Sequence, residues 1–185
     1  ASNKLRYYTS WSGEGLVNEY LGDCQVLEDG IYTTVDALTG YEKITLDGRE
    51  YEAFNTSGGL GTFAKSMDDK YDSLNLNYKT LRRIGHHDYV DFLFNDLKIP
   101  QTVLTGIFSK IPKTRKDAVI LYASASGKGM DDERSYLKIF RPKAINGRNL
   151  TAIEYTTAIG LLAMVELYLT EKIPQEGYVR QEDVL

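Results

Sequence analysis

Asp47-Gly48 is the strongest constraint on this fold. It separates two strand-like segments, Tyr41–Leu46 and Arg49–Asn55. Asp-Gly supplies the positive-φ pair of a two-residue hairpin turn, so these strands run antiparallel with no helix between them. Other strand signals surround the hairpin. Leu5–Trp11 is rich in aromatic residues, and Ile31–Leu38 places Ile31, Thr33, Val35 and Ala37 on one face. Leu74–Leu81 reads as a further strand. Asp117–Ser124 holds the apolar run Ala118–Tyr122, the pattern of a central strand covered on both faces, paired with Glu133–Arg141 across a turn over Gly127–Asp132.

Helical signals fall between these segments. Ser12 is an N-cap with Glu14 in the first turn of a helix running to about Leu21 and stopping at Gly22. Leu60, Phe63, Ala64 and Met67 form one helical stripe; Val90, Leu93, Phe94 and Leu97 form a second. Pro100 opens a third, with Leu104, Ile107, Phe108 and Ile111 on one face, ended by Pro112. A long helix from about Thr151 to Glu171 is apolar nearly all round, which places it deep in the core or at a subunit interface. Strands that follow one another without strict βαβ alternation predict an α+β fold. Its sheet is expected to be mixed but largely antiparallel, with helices packed mainly on one face. One domain over 1–185 is expected.

Composition removes several function classes. At 42% hydrophobic and 26% charged, the 185 residues can bury an ordinary core. A single cysteine, Cys24, allows neither an intramolecular disulfide nor a multi-cysteine zinc site, and suits a reduced, cytoplasmic compartment. Net charge −4 argues against nucleic acid as the main partner. Ala152–Leu169 is the nearest approach to a membrane span, but it carries Glu154 and Glu166 and reads as a buried helix. No signal-peptide pattern is seen, and no Met precedes Ala1, so processing or origin in a longer protein is expected.

Two segments carry possible chemistry. Phe54–Thr62, FNTSGGLGT, joins a predicted strand to a predicted helix. Amides of Ser57, Gly58 and Gly59 can converge there on a carboxylate or phosphate; the plain alternative is a tight turn with Thr56 or Ser57 as N-cap. Gly59, Gly61 and Ala64 fit a relaxed dinucleotide pattern, but Lys79 stands where an acidic residue is wanted and a hairpin precedes the motif. Tyr78–His87, YKTLRRIGHH, gathers Lys79, Arg82, Arg83, His86 and His87. The Arg82 fork can hold a carboxylate and His86 can serve as an acid or base; the plain alternative is a solvated strand end.

The remaining signals are weaker. His86 and His87 diverge by about 100° on a helix, and no metal-ligand spacing supports them, so no metal is expected. Cys24 follows Asp23 with no adjacent cation and reads as inert. No G-x-S-x-G elbow is present. Lys110–Lys116 is basic and reads as a solvated connection.

Four blocks, in order, are similar to those of a known family: Tyr8–Leu16 (YTSWSGEGL), Glu52–Gly61 (EAFNTSGGLG), Tyr78–His86 (YKTLRRIGH) and Ala152–Ala163 (AIEYTTAIGLLA). The chain resembles the second domain of the saccharopine dehydrogenase family, in its glutamate-forming or saccharopine-reductase branch. The resemblance implies an α+β domain similar to the second domain of glyceraldehyde-3-phosphate dehydrogenase. Such a domain provides substrate contacts and a dimer surface, while NAD or NADP is bound on a Rossmann domain supplied mostly by an N-terminal segment that this chain lacks. The isolated chain is then expected to be inactive. Ser10 and Trp11 match the family's substrate-contacting block, and Thr156 or Thr157 matches a late threonine facing the same cleft. Fungal saccharopine reductases carry an arginine after the asparagine in the block matching FNTSGG. Asn55-Thr56-Ser57 has none, which leaves a carboxylate to the Ser57–Gly59 amides or to Arg82. Arg83-Ile84 also replaces the family's aromatic-Pro pair. The function implied is hydride transfer between a nicotinamide and an imine carbon joining two amino acids, with saccharopine as the leading adduct. Carboxynorspermidine is the second, and a non-catalytic amino-acid-binding or dimerisation module is the alternative from another class.

Overall fold

The protein is described here by a computed structural model, covering residues 2–71, 73–128 and 132–184. Among the described residues five α-helices and nine strands make an α+β fold, and every strand pairing is antiparallel. The described residues form two compact units, 1–112 and 113–185.

In the first unit, α1 (Gly13–Glu19) begins at Ser12, whose side chain accepts from the Gly15 amide at 3.2 Å, as an N-cap should. β1 (Asp23–Glu28) and β2 (Ile31–Asp36) form a two-stranded sheet; β3 (Glu42–Leu46), β4 (Arg49–Asn55) and β5 (Lys79–Arg82) form a three-stranded one in that order. Both hairpins turn on Asp-Gly, with φ of 50° and 78° at Asp29-Gly30 and 50° and 67° at Asp47-Gly48. The remaining helices are α2 (Phe63–Asp68), α3 (His87–Asp91) and α4 (Gln101–Phe108). The core gathers Leu16, Val17 and Tyr20 of the α1 region, Phe54 of β4, Val90 and Phe94, and Leu104 and Phe108 of α4. Burying each large side chain there contributes roughly 1.5–3 kcal/mol.

Three expectations need correction in this unit. Leu5–Trp11 is not a strand. Arg6 has φ 55°, Asn3 bonds the Tyr7 backbone in both directions, and the Thr9 hydroxyl bonds both backbone groups of Trp11, so local bonds replace a ladder. The helix through Val90 and Phe94 turns from α to π over Phe92–Asp96, closed by Leu97 N–H to the Phe92 carbonyl at 2.9 Å. That wider turn changes the phase of the stripe and leaves Leu97 51% exposed. Finally, β1 was not signalled by apolar periodicity, and Leu74–Leu81 contracts to β5 with an isolated Leu27–Leu76 bridge ahead of it.

In the second unit, β6 (Val119–Ala125) pairs with β7 (Arg134–Phe140), and β8 (Lys143–Ile145) with β9 (Arg148–Leu150). The latter pair turns on Asn146-Gly147 with φ of 49° and 74°. The expected Gly127–Asp132 turn lies partly outside the described residues. β6 is not covered on both faces: it sits in a two-stranded ribbon, and Leu121 is half-exposed. α5 (Ala152–Leu169) starts with a capping box in which Thr151 and Glu154 bond one another's backbone amides. Expectation of deep burial fails for this helix within the chain. Only Ala152 and Tyr155 are buried on it, and Leu161, Leu162 and Leu169 are more than half exposed. Among the described residues α5 is also the one helix long and apolar enough to cross a membrane, by length and composition.

Candidate functional site

Of the expected site residues of the first unit, Ser57, Arg82 and His86 meet around the C-terminal end of α1. Glu19 and Tyr20 leave this helix side by side. The Glu19 carboxylate takes Arg82 Nη2 at 2.9 Å, while the Glu19 carbonyl accepts from the Ser57 amide at 3.0 Å. Ser57 Oγ donates to the neighbouring Asn18 carbonyl at 2.8 Å. One helix end therefore holds both the glycine turn and the arginine.

Arg82 is enclosed. Its Nε donates to Tyr20 Oη at 2.9 Å and Nη1 to the Leu81 carbonyl at 3.2 Å, and its guanidinium lies 5.1 Å from the centroid of Tyr7 and 5.8 Å from that of Tyr20. Burial opposes the charge, but Tyr20, Tyr7 and Glu19 outweigh it and raise the Arg82 pKa. Burial likewise raises the pKa of Tyr20 and Glu19, against the pull of Arg82. Every guanidinium nitrogen has a partner inside the chain, so Glu19 occupies the edge that a substrate carboxylate would use.

His86 is fully buried and extends the same chain of bonds. Its Nδ1 lies 2.8 Å from the Leu5 carbonyl, which can only accept, so Nδ1 carries the proton. Nε2 therefore accepts from Tyr20 Oη at 2.9 Å, and Tyr20 accepts in turn from Arg82. The proton order is fixed from Arg82 through Tyr20 and His86 to Leu5. Burial, then the Arg82 charge, lowers the His86 pKa to about 3. In this arrangement His86 is neutral and ties the N-terminal segment to the core.

Glu52 was not singled out as a site residue. It is 1% exposed, and its carboxylate accepts from the backbone amides of Gly85 at 2.8 Å and His87. His87 Nε2 then reaches the Leu38 carbonyl at 2.7 Å. These bonds fix the Gly85-His86 turn and with it the His86 ring. A signal was available: Glu52 is two residues from Phe54, so period-2 alternation puts its charge on a core-facing position, where a carboxylate must be hydrogen-bonded.

The glycine turn differs from expectation in one respect. α2 begins only at Phe63, so Ser57–Gly59 lies ahead of the helix and outside its dipole's reach. Neither Thr56 nor Ser57 is an N-cap; Thr56 Oγ1 bonds Thr80 Oγ1 at 2.8 Å. Gly58 and Gly59 are exposed, with no partner for their amides among the described residues. A Cβ at Gly59 would fall 1.9 Å from the Tyr78 ring, so the backbone passes too close to that ring for any side chain.

Trp11 is half-buried and donates Nε1–H to Tyr7 Oη at 3.0 Å, and Ser10 is half-buried beside it. Tyr7 thus links Trp11 to Arg82, and its ring centroid lies 5.4 Å from that of His86 with the planes tilted by 54°. Thr156 and Thr157 lie on α5 of the second unit. Thr156 Oγ1 is turned back onto the Ala152 carbonyl at 2.8 Å, and Thr157 is exposed.

Cofactor and nucleophile chemistry can be tested on the same geometry. Dinucleotide binding needs a parallel βαβ unit, but all pairings here are antiparallel and Gly59-x-Gly61 follows a hairpin strand. The described residues do not form a Rossmann dinucleotide site. No three His, Cys, Asp or Glu side chains among them cluster as metal ligands. Cys24 is buried, and burial together with Asp23 and Asp36 pushes its thiol up to about 11, so it is protonated at neutral pH.

Compared with known proteins, the chain matches the family model for the saccharopine dehydrogenase C-terminal domain over residues 1–185. No curated protein matches it.

Proposed function

From the premise that the chain belongs to the saccharopine dehydrogenase C-terminal domain family, we propose that it is the substrate-binding and dimerisation domain of an NAD(P)-dependent oxidoreductase. The reaction proposed is at the C–N bond of an amino-acid adduct of the saccharopine type. The family match over both units carries this reading, and treats 1–185 as one family domain. Exclusively antiparallel pairing supports placing NAD or NADP on a separate Rossmann segment, so the chain alone is inactive.

Substrate contact is assigned to Ser10, Trp11 and the exposed Ser57–Gly59 turn. Arg82 joins them where a substrate carboxylate displaces Glu19. His86 keeps an acid–base role only if substrate binding breaks its bond to Tyr20. Thr156 and Thr157 complete the assignment from the family's late helix. Dimerisation through α5 is supported by its exposed leucines, and a cytoplasmic setting by the single cysteine.

The engagement of Arg82 by Glu19 favours a second reading, an amino-acid-binding or dimerisation module without catalysis. Carboxynorspermidine is the alternative substrate for the enzyme reading. Steady-state assay of the affinity-captured native gene product with saccharopine and carboxynorspermidine, each with NAD and NADP, separates these. Turnover of saccharopine is expected; turnover of neither adduct moves the assignment to the non-catalytic module.

A further inference from the structure

α5 carries two apolar stripes, and only one of them is covered within its own unit. At about 100° per residue, Ile153, Thr156, Met164 and Leu167 share one face of the helix, and all four are half-buried. Leu161, Leu162, Val165, Tyr168 and Leu169 form the other stripe, about 140° round the helix from the first. These five are 42–73% exposed. Two apolar sides explain why the helix reads as apolar nearly all round although little of it is buried.

The free stripe has a symmetry that specifies its partner. Counted from Val165, its members stand at −4, −3, 0, +3 and +4, so reversing the helix about Val165 maps the stripe onto itself. An antiparallel second copy then sets Leu161 against Leu169, Leu162 against Tyr168 and Val165 against Val165. A two-fold interface requires this kind of self-complementarity, in which one patch meets its own copy. Val165 is the smallest of the five side chains, and it falls on the axis, where the two helices approach most closely.

Charge points the same way. No charged residue lies on the stripe, and the exposed Glu166 stands about 100° away from it. An uncharged face calls for an uncharged partner, because a charge buried against it would lack a counterion. A lipid surface is a poorer match. Helices that lie on membranes carry Lys or Arg on the polar face, whereas the charged residues of α5 are Glu154 and Glu166.

Resting on the reading of α5 as a dimer surface, we propose that its partner is α5 of a second copy, packed antiparallel about a two-fold axis at Val165.

Cysteine cross-linking tests this register, because the native Cys24 is buried and stays out of the reaction. Val165→Cys, oxidised with copper phenanthroline at micromolar concentration, is expected to give covalent dimer several-fold more readily than Ile159→Cys. Ile159 is about as exposed as Val165 but lies off the stripe. Leu161→Cys and Leu169→Cys are expected to cross-link when mixed but neither with itself, since like positions lie about 12 Å apart along the axis. Self-cross-linking of both without the mixed product would mean a parallel pair and would overturn the proposal, as would equal yields at positions 159 and 165. Sedimentation equilibrium of the wild type separates the two readings. A dimer whose Val165→Cys form does not cross-link overturns the α5–α5 pairing alone, whereas a monomer, or recovery with neutral lipid vesicles, removes the dimer surface as well.

Discussion

Tyr20 connects the ion pair of Arg82 and Glu19 to buried His86. Removing only its hydroxyl, in Tyr20→Phe, leaves Arg82 Nε and His86 Nε2 without partners in a dry environment. A loss of about 1–3 kcal/mol is expected in urea denaturation. Tyr7→Phe removes one acceptor from a half-buried Trp11 and is expected to cost about 0.5–1.5 kcal/mol. His86 also makes a pH prediction. Its folded pKa is depressed to about 3 from an ordinary 6.5, so the unfolded chain binds the extra proton between those values. Stability contributed by neutral His86 is complete above pH 6.5 and is lost as the pH falls toward 3, at up to about 1.4 kcal/mol per pH unit. His86→Gln is expected to remove about one proton from the slope of unfolding free energy between pH about 6.5 and about 5. An unchanged slope would show that His86 is not held neutral. Sequence reading found Arg82 and His86 through the YKTLRRIGH block, but not Glu19 or Tyr20. Those two lie 62 or more positions away in the chain, and no local period reports a contact made only by folding.

At the scale of elements, turn chemistry was the most legible signal. Asp47-Gly48 placed β3 and β4 within a residue of where they stand. Asp29-Gly30 repeats that dipeptide and Asn146-Gly147 is its Asn-Gly counterpart, and β1, β8 and β9 could have been read from them. Apolar runs were less informative: period and composition mark a face as apolar without saying what covers it, which is why β6 was expected to be covered on both faces and α5 to lie in the core or at a subunit interface. Leu5–Trp11 had strand composition but was overridden by side-chain bonds from Asn3 and Thr9. The glycine turn offers an element-scale test. Gly59→Ala drives a methyl into the Tyr78 ring and is expected to cost about 1–3 kcal/mol. Tyr78→Ala in the same chain should recover most of that loss, whereas independent, additive effects would contradict the packing described.

For the whole molecule, α5 carries the proposed dimer surface. Its Leu161, Leu162 and Leu169 are more than half exposed within this chain, and a contiguous apolar surface is what an interaction site requires. We expect sedimentation equilibrium to give a dimer for the wild type and a monomer for Leu161→Glu with unchanged far-UV circular dichroism. A monomeric wild type, or one that partitions onto neutral lipid vesicles, would remove α5 from the dimer account. Fold class was legible as a whole because consecutive strands exclude a parallel Rossmann sheet, whichever strands are missed. That same exclusion is what makes the enzyme reading require another segment for NAD(P). The most direct measurement is the mass of the native gene product in its own cells, detected with an antibody raised against these residues. The account predicts a band near roughly 40–45 kDa, this domain joined to a Rossmann segment of about 150–200 residues. A band at 20.9 kDa, the mass of this chain alone, would contradict it.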